Sequence, residues 1–278
     1  MPQLNQEIFM NLSETSPAAL VLRSDAHGVA FLTLNRPQAR NALSQAMIDA
    51  LQGEFDAIAI DPAVHVVVLA GSGPAFCAGH DLKEIRAAGY AETYAEALFD
   101  ACARLMQRIV SLPQPVIARV HGIATAAGAQ LVASCDLAIA ADNARFATPG
   151  VNIGLFCSTP MVALSRNVSP KHALQMLLTG DLIDAATALR IGLINEAVPE
   201  TELDAAIATL AAKIASKSRH TVTLGKAAFY RQAALPLAAA YDYTKGVMVA
   251  NLQARDAQEG IASFIDKRPP VWCGGANP

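Results

Sequence analysis

HVVVLAGSGPAFCAG, residues 65–79, joins an unbroken apolar run to a loop of small residues. The apolar run is β-branched and does not alternate with polar residues, which is typical of a strand buried on both faces of a parallel sheet. VIARVHGIATAAG, residues 116–128, repeats the arrangement with a second apolar run and a second small-residue loop. The two units predict a parallel sheet whose strands lead into closely packed loops.

The pattern around these units is that of an α/β chain. Strands and helices are mixed up to about residue 160, and almost only helix is predicted from residue 161 onward, which favours an α/β core followed by helices. The further predicted elements are two short strands within residues 18–35, helices over 44–61, 91–111 and 128–135, a strand over 136–140 and a loop over 146–159.

The predicted organisation has three parts. Residues 1–17 read as a polar N-terminal tail, residues 18–199 as the core, and residues 200–278 as a helical region that serves assembly. No low-complexity linker separates the core from the helices, so the sequence does not predict two independently folding domains.

Composition excludes several classes of protein. The chain has 278 residues, of which 53% are hydrophobic and 16% charged, and this excludes disorder. With a net charge of −3 and no basic block, nucleic-acid binding is not expected. No stretch of about 20 apolar residues predicts a membrane span, and the N-terminus does not resemble a signal peptide, so we expect a cytoplasmic protein.

The five cysteines are widely spaced and odd in number, which predicts reduced thiols. Cys77 and His80 have a C-x-x-H spacing, but no second ligand pair follows, so no metal site is predicted. A partial dinucleotide pattern begins at Gly71 and Gly73, but Phe76 stands where the third glycine would be required. Neither pattern therefore predicts a function.

The two Ala-Gly pairs suggest one chemistry from the residues alone. If both loops open helices, the backbone amides of Ala78 and Ala127 would be free donors close to helix N-termini, as the stabilisation of an oxyanion requires. Tight packing turns would have the same composition. Spacing alone does not decide between the two, because it does not place the amides side by side.

Six segments together resemble the enoyl-CoA hydratase/isomerase, or crotonase, superfamily, from about residue 18 to Trp272. The resemblance implies a crotonase-like spiral of ββα units with a helical C-terminal oligomerisation region that builds homotrimers, often paired into hexamers. It also implies an acyl-CoA thioester as substrate, with no other cofactor, and a lyase or isomerase of fatty acid metabolism. The matching segments are LTLNRPQARNALS (32–44), FCAGHDLKEI (76–85), HGIATAAGAQLVASCDLAIA (121–140), RFATPGVNIG (145–154), LLTG (177–180) and FIDKRPPVW (264–272).

Carried over to this chain, the resemblance implies a thioester-binding role for two backbone amides, those of Ala78 and Ala127. It implies that Arg40 lies near the CoA phosphates and that Lys267 reaches the nucleotide end of CoA, although both side chains could equally be solvated. The residues that follow Ala78 in the first loop, His80, Asp81 and Leu82, are expected beside the bound CoA thioester.

The departures from the family pattern concern its two catalytic glutamates. Gln130 and Gly150 stand at these positions. Neither residue can move a proton, so standard hydration of an enoyl-CoA is expected to be weak or absent. Restoring both carboxylates, Gln130→Glu with Gly150→Glu, is expected to create hydration if the scaffold still aligns the substrate.

A base must then come from elsewhere, and the candidates are His80, Asp81, Cys157 and Ser158. For His80 the alternative is a loop side chain near bound CoA, and for Cys157 it is a small buried thiol that packs the pocket. Residues 124–136 and 146–160 most resemble the enoyl-CoA hydratase domain-containing protein 3 subgroup, which implies no secure reaction.

Three functions therefore remain open from the sequence. The first is an enzyme that polarises an acyl-CoA thioester and uses a nonstandard acid or base. The second is a catalytically silent acyl-CoA binding or regulatory protein. The third is an interaction protein that no longer binds CoA.

Overall fold

The computed structural model describes residues 19–274, so the predicted tail over residues 1–17 lies outside the described residues. The described residues form a mixed α/β fold with ten strands and eleven α-helices. The strands are β1 (Val21–Ala26), β2 (Val29–Leu34), β3 (Val66–Gly71), β4 (Ala75–Cys77), β5 (Val116–Val120), β6 (Ile123–Thr125), β7 (Leu137–Ala141), β8 (Arg145–Ala147), β9 (Ile183–Asp184) and β10 (Glu196–Val198). The helices are α1 (Gln45–Ala59), α2 (Leu82–Ala87), α3 (Glu92–Ser111), α4 (Ala127–Ser134), α5 (Pro160–Asn167), α6 (Pro170–Thr179), α7 (Ala185–Arg190), α8 (Leu203–Ala215), α9 (Arg219–Gln232), α10 (Leu237–Gln253) and α11 (Arg255–Ile265).

The larger sheet has six strands in the order β1-β2-β3-β5-β7-β10. β1 and β2 form an antiparallel hairpin, and the other neighbours are parallel. All six residues of β3 are buried, as the continuous apolar run predicts. One face of the sheet packs against a core that includes α1 and α3, and the opposite face packs against α8.

The smaller sheet has four strands in the order β4-β6-β8-β9. β4, β6 and β8 run parallel to one another, with Cys77 opposite Ala124 and Thr125 opposite Ala147. Because these three strands are parallel, the loops that follow them leave the sheet at the same edge. Crevices at the carboxyl ends of parallel strands are the usual ligand sites of α/β sheets.

Most of the predicted longer elements are confirmed, and the differences concern short strands. Ser44 caps α1, because its side chain accepts a hydrogen bond from the Met47 amide at 3.2 Å. The predicted loop over residues 146–159 contains the end of β8 and a short 3-10 helix over Pro149–Ile153. The mostly helical part after residue 161 contributes β10 to the large sheet. These strands have only three residues, too few to show a period of two.

The last four helices do not all lie outside the core. α8 buries Leu203, Ile207 and Ala211 against the large sheet, so one layer of the core lies beyond residue 199. α9 is attached by an ion pair between Lys226 and Asp136 at 2.6 Å. Burial lowers the pKa of Lys226, and Asp136 acts in the opposite direction. Removing one partner of such a buried pair leaves an uncompensated charge, so this pair fixes α9 to the sheet.

Within residues 19–274, no helix combines the length and the apolar character that a bilayer crossing needs. The described part of the chain also has no group of three His, Cys, Asp or Glu side chains that could hold a metal ion.

Candidate active site

Three loops meet at the carboxyl edge of the small sheet. They follow β4, β6 and β8, and they contain most of the site residues that the sequence singles out. Ala126 donates its amide hydrogen to the carbonyl of Ala147 at 2.9 Å, and the Thr125 hydroxyl donates to the carbonyl of Ala78 at 3.1 Å. These bonds join the second loop to the third and to the first.

The first loop is held by a parallel bridge between His80 and Leu43. Leu43 donates to the carbonyl of Gly79 at 2.8 Å and accepts from the amide of Asp81 at 3.1 Å. In this parallel pattern, Leu43 bonds to the residues on both sides of His80, so the amide of His80 points away from Leu43. No hydrogen bond within the described residues uses the His80 amide.

The expectation for Ala78 does not fit this geometry. Its amide donates to the carbonyl of Arg40 at 3.0 Å and is therefore occupied. Ala78 also does not open a helix, since α2 begins at Leu82 after the capping residue Asp81. The amide of His80, two residues later, has no hydrogen-bond partner among the described residues and is therefore a free backbone donor in the first loop.

Ala127 does open a helix, as predicted. It is the first residue of α4, and the amides in the first turn of a helix have no partner within the helix. Ala126, which precedes it, has a φ of +51°, a conformation that an alanine rarely adopts. Such strain persists only where the surroundings impose it, and it often marks a functional site. The partial positive charge of the helix N-terminus lies at the same place.

Two glycines, Gly79 and Gly128, show how closely the first and second loops pack against each other. A Cβ atom at position 79 would lie 2.9 Å from the Cβ of Ala126 and 3.3 Å from the amide nitrogen of Ala127. A Cβ atom at position 128 would overlap the carbonyl oxygen of Cys77. The backbones of the two loops therefore touch, with Gly79, the residue before His80, directly against Ala126 and Ala127.

Gln130 lies one turn after Ala127 on α4 and is only 4% exposed. Its side-chain oxygen is shielded from solvent and has no hydrogen-bond partner among the described residues. A buried acceptor without a partner is energetically unfavourable, by about 1–3 kcal/mol. The Gln130 oxygen is therefore suited to accept a hydrogen bond from a donor on a bound ligand.

Gly150 is covered by the chain that follows it. A Cβ atom at this position would lie 2.9 Å from the carbonyl oxygen of Leu155 and 3.0 Å from the Sγ of Cys157. The Cys157 thiol therefore occupies the space where a side chain of residue 150 would begin. Burial raises the pKa of Cys157, while the nearby Gly150 amide acts in the opposite direction, so the group is a protonated thiol at neutral pH.

The ring of His80 packs edge-to-face on Phe99 of α3, with ring centroids 5.3 Å apart. Both ring nitrogens are shielded from solvent. Apart from a weak contact with the Leu43 backbone, neither has a hydrogen-bond partner among the described residues. Burial lowers the pKa of His80 more than the Leu43 contact raises it, so the ring is neutral at pH 7.

Asp81 and Ser158 are both engaged elsewhere. Asp81 caps α2 through the amides of Lys83 and Glu84 and forms an ion pair with Arg36 at 2.6 Å. Burial alone would raise the pKa of Asp81, but Arg36 and the two amides outweigh it and hold the pKa below its usual value. The hydroxyl of Ser158 is exposed and donates to the carbonyl of Phe156 at 3.3 Å.

The two residues predicted to bind CoA lie in different parts of the fold. Arg40 is exposed, and its carbonyl is bonded to the first loop, so it borders the site. Lys267 is exposed and follows α11. Neither side chain forms an ion pair within residues 19–274. Leu82, 52% exposed, is the first residue of α2 and borders the first loop.

Two features of the site were not predicted from the sequence. One is the free amide of His80, and the other is the close packing of Leu155 and Cys157 over Gly150. The first depends on pairing with Leu43, and the second on a turn that folds back through Leu155 and Cys157. No local pattern in the sequence signals either contact.

Comparison with known proteins shows the family of the chain. The enoyl-CoA hydratase/isomerase family model matches residues 24–275. "Enoyl-CoA hydratase domain-containing protein 3, mitochondrial" from Xenopus laevis is 50% identical over 268 residues, which cover 96% of this chain and 91% of the relative.

Two solved structures support the same assignment. One is an enoyl-CoA hydratase from Mycobacterium smegmatis, with a TM-score of 0.89, 53% identity and coverage of 91% of this chain and 98% of that one. The other is human enoyl-CoA hydratase domain-containing protein 3, with a TM-score of 0.89, 47% identity and coverage of 91% and 100%. The predicted fold and the predicted subgroup resemblance are confirmed.

The prediction of a cytoplasmic location is wrong on this comparison. The Xenopus laevis relative is named mitochondrial, as are relatives from mouse and human. The prediction used the absence of a recognisable targeting pattern, and that absence does not distinguish compartments.

Proposed function

Because the chain belongs to the enoyl-CoA hydratase/isomerase family, we propose that it binds an acyl-CoA and polarises the thioester carbonyl with the amides of His80 and Ala127. The observation that carries the proposal is the pair of unpartnered amides on two touching loops. Two fixed donors aimed at a carbonyl oxygen stabilise the negative charge that develops there, and such stabilisation is often the largest catalytic contribution.

Polarisation by two amides makes the α-hydrogens of the acyl group more acidic. The positive end of α4 at Ala127 adds to this effect. The expected reaction type is therefore one that passes through an enolate, with the proton taken by solvent or by a nearby neutral base. Among the base candidates, Asp81 is ion-paired, Cys157 is protonated, and the Ser158 hydroxyl is exposed and donates to the carbonyl of Phe156, so none of these three offers a free basic group.

Hydration of an enoyl-CoA is not the proposed reaction. It needs two groups that hold and activate water, and Gln130 and Gly150 supply no base. Cys157 takes the space next to Gly150. We therefore expect no addition of water at a rate above the uncatalysed one.

For the CoA moiety, we propose that Arg40 and Lys267 contact its phosphates. Both are exposed cations without an ion pair among the described residues, so neither must give up a protein partner to bind an anion. Loss of one charge is expected to weaken binding of CoA esters equally for every acyl group.

We further propose that the chain assembles into a homotrimer or hexamer through its last helices. α9–α11 leave large apolar side chains exposed, and clusters of such side chains on a surface mark interaction sites. These side chains are Phe229, Leu237, Tyr241, Met248, Val249, Leu252, Ile261, Phe264 and Ile265. Sedimentation measurements would show a single trimeric or hexameric species, and a monomer at micromolar concentration would contradict the proposal.

Restoring both family glutamates, Gln130→Glu with Gly150→Glu, is expected to fail to create hydration, contrary to the expectation from the sequence. The side chain at position 150 would have to displace the backbone of Leu155 and the thiol of Cys157. Overpacking of this kind costs about 1–3 kcal/mol. The measurement is water addition to crotonyl-CoA, followed by the loss of its ultraviolet absorbance, together with thermal unfolding.

The matched control for this variant is Gly225→Glu on α9. A Cβ atom at position 225 meets nothing within 4 Å, so the same chemical change should leave stability unchanged or slightly higher. Measurable hydration by the double variant would contradict the prediction, because it would require the segment around Cys157 to open.

Mass spectrometry of acyl-CoA esters in heavy water tests the proposed function. With butyryl-CoA we expect protein-dependent exchange of deuterium at the α-carbon, and with crotonyl-CoA no gain of water. Thermal unfolding with each ester reports binding separately. If no ester stabilises the protein, the proposed function is wrong.

The second candidate function is a catalytically silent acyl-CoA binding protein. The observation that favours it is the absence of both family glutamates, since Gln130 and Gly150 stand at their positions. Leu155 and Cys157 also pack closely over Gly150. Binding of esters without α-exchange and without any other chemical change would favour this second function.

A further inference from the structure

The imidazole of His80 is one of the polar groups in the described part of the chain that are shielded from solvent without a clear hydrogen-bond partner. Both of its nitrogens are shielded from solvent and lack a partner beyond the weak contact with Leu43. Buried polar groups are nearly always hydrogen-bonded, and exceptions call for an explanation. The oxygen of Gln130, one turn after Ala127, is a second orphaned polar atom beside the two free amides.

The ring of His80 packs against an aromatic side chain. His80 packs on Phe99, which is 40% exposed, and Leu82 lies two residues along the same loop. These two side chains offer a hydrophobic surface next to the amide that faces the thioester. An acyl chain attached to that thioester would meet these apolar side chains together with the imidazole.

The charge state of the ring limits what it can recognise. A neutral imidazole presents one donor and one acceptor. The cation beside the next residue, Arg36, is already paired with Asp81 at 2.6 Å, so it is not free to pair with a carboxylate at His80. The complementary group is an uncharged oxygen, such as a hydroxyl or a keto group.

We propose that the His80 imidazole recognises an uncharged oxygen on the acyl chain, so that the site selects hydroxyacyl- or oxoacyl-CoA over the plain saturated ester. The inference rests on the proposed function, because it places the acyl chain beside the two amides. A plain chain leaves the imidazole unpaired, and sites with buried polar groups discriminate strongly against ligands that cannot pair them.

Calorimetric titration with 3-hydroxybutyryl-CoA and butyryl-CoA tests the proposal, because the two esters differ by one hydroxyl. The wild-type protein should bind the hydroxylated ester at least about tenfold more tightly. In His80→Phe the ratio should fall to about one, since phenylalanine packs on Phe99 without a polar atom. His80→Phe keeps the backbone amide, so the ratio of the two affinities isolates the contribution of the imidazole.

Two further variants complete the test. His220→Phe on α9 makes the same chemical change away from the site and should preserve the wild-type ratio. His80→Gln retains a donor and an acceptor and should restore part of the preference, and His80→Leu replaces His80→Phe if the latter does not fold.

Equal affinities of the wild-type protein for the two esters would overturn the inference while leaving the proposed function intact. A preference that survives in His80→Phe would also overturn it. If His80→Phe lowers α-exchange for both esters equally and keeps the binding ratio, the ring is a base rather than a recognition group. Absence of binding by either ester would overturn the proposed function and the inference with it.

Discussion

Gly128→Ala is expected to lower the free energy of unfolding by about 3 kcal/mol or more, an overpacking effect at the upper end of the usual range. The added methyl group would overlap the carbonyl oxygen of Cys77. The obstacle is backbone rather than a flexible side chain, and it lies where α4 packs against β4. The strand and the helix would have to separate, which would also part the amides of His80 and Ala127. Urea unfolding followed by circular dichroism measures the change.

Gly53→Ala on α1 is the matched control for this substitution. Gly53 is exposed within a helix, and a Cβ atom there meets nothing within 4 Å. The same added methyl group should therefore stabilise the protein by about 0.5–1 kcal/mol through helix propensity. If Gly128→Ala were as stable as the wild-type protein, the two loops would not touch as described.

Ala127→Pro is expected to lower the rate of α-proton exchange by about 100- to 1,000-fold, the usual effect of losing one oxyanion donor. Proline has no amide hydrogen, and the first position of a helix is the one at which proline is best tolerated. The change therefore removes one of the two donors. Because Ala126, with a φ of +51°, would precede the proline, circular dichroism and thermal unfolding of the variant must match those of the wild-type protein. Exchange of deuterium into butyryl-CoA, measured by mass spectrometry, gives the rate.

Two controls separate this effect from a general disturbance. Ala127→Gly keeps the amide and should exchange within about threefold of the wild-type rate. Ala185→Pro makes the same change at a buried alanine in the first position of α7, and it should leave exchange unaffected. Exchange by Ala127→Pro at the wild-type rate would show that the Ala127 amide does not act on the thioester.

The long elements of the fold could be predicted from the sequence because their signals are local. β3 is an unbroken apolar run, and α1 has apolar residues at helical spacing after a capping serine. β4, β6 and β8 could not be predicted individually, because three residues show no periodicity. They are strands only because they pair with one another, and pairing is a property of the folded chain.

In the site, too, features with a local signal could be predicted, and features that depend on distant contacts could not. Ala127 could be predicted as a donor, because the amide of the first residue of a helix has no partner within the helix. The resemblance places the equivalent donor of the first loop at Ala78, but the amide of Ala78 donates to the carbonyl of Arg40. The amide of His80 is free because Leu43 pairs with Gly79 and Asp81, the residues on either side of His80. This contact joins segments that are far apart in the sequence.

Gln130 and Gly150 illustrate the limit of reading a reaction from residue types. The sequence shows that the two carboxylates are missing, but not whether the space for them remains. At Gly150 it does not, because Leu155 and Cys157 fold back over the position. Restoring a carboxylate therefore requires a change of backbone as well as of side chain.

Infrared difference spectroscopy of bound butyryl-CoA, labelled with ¹³C at the thioester carbonyl, tests the central claim most directly. The carbonyl stretch reports polarisation whether or not any reaction follows. We predict a shift to lower frequency on binding to the wild-type protein, and a clearly smaller shift on binding to Ala127→Pro. A bound ester whose carbonyl frequency equals that in water, or a shift that is the same in both proteins, would contradict thioester polarisation by the amides of His80 and Ala127.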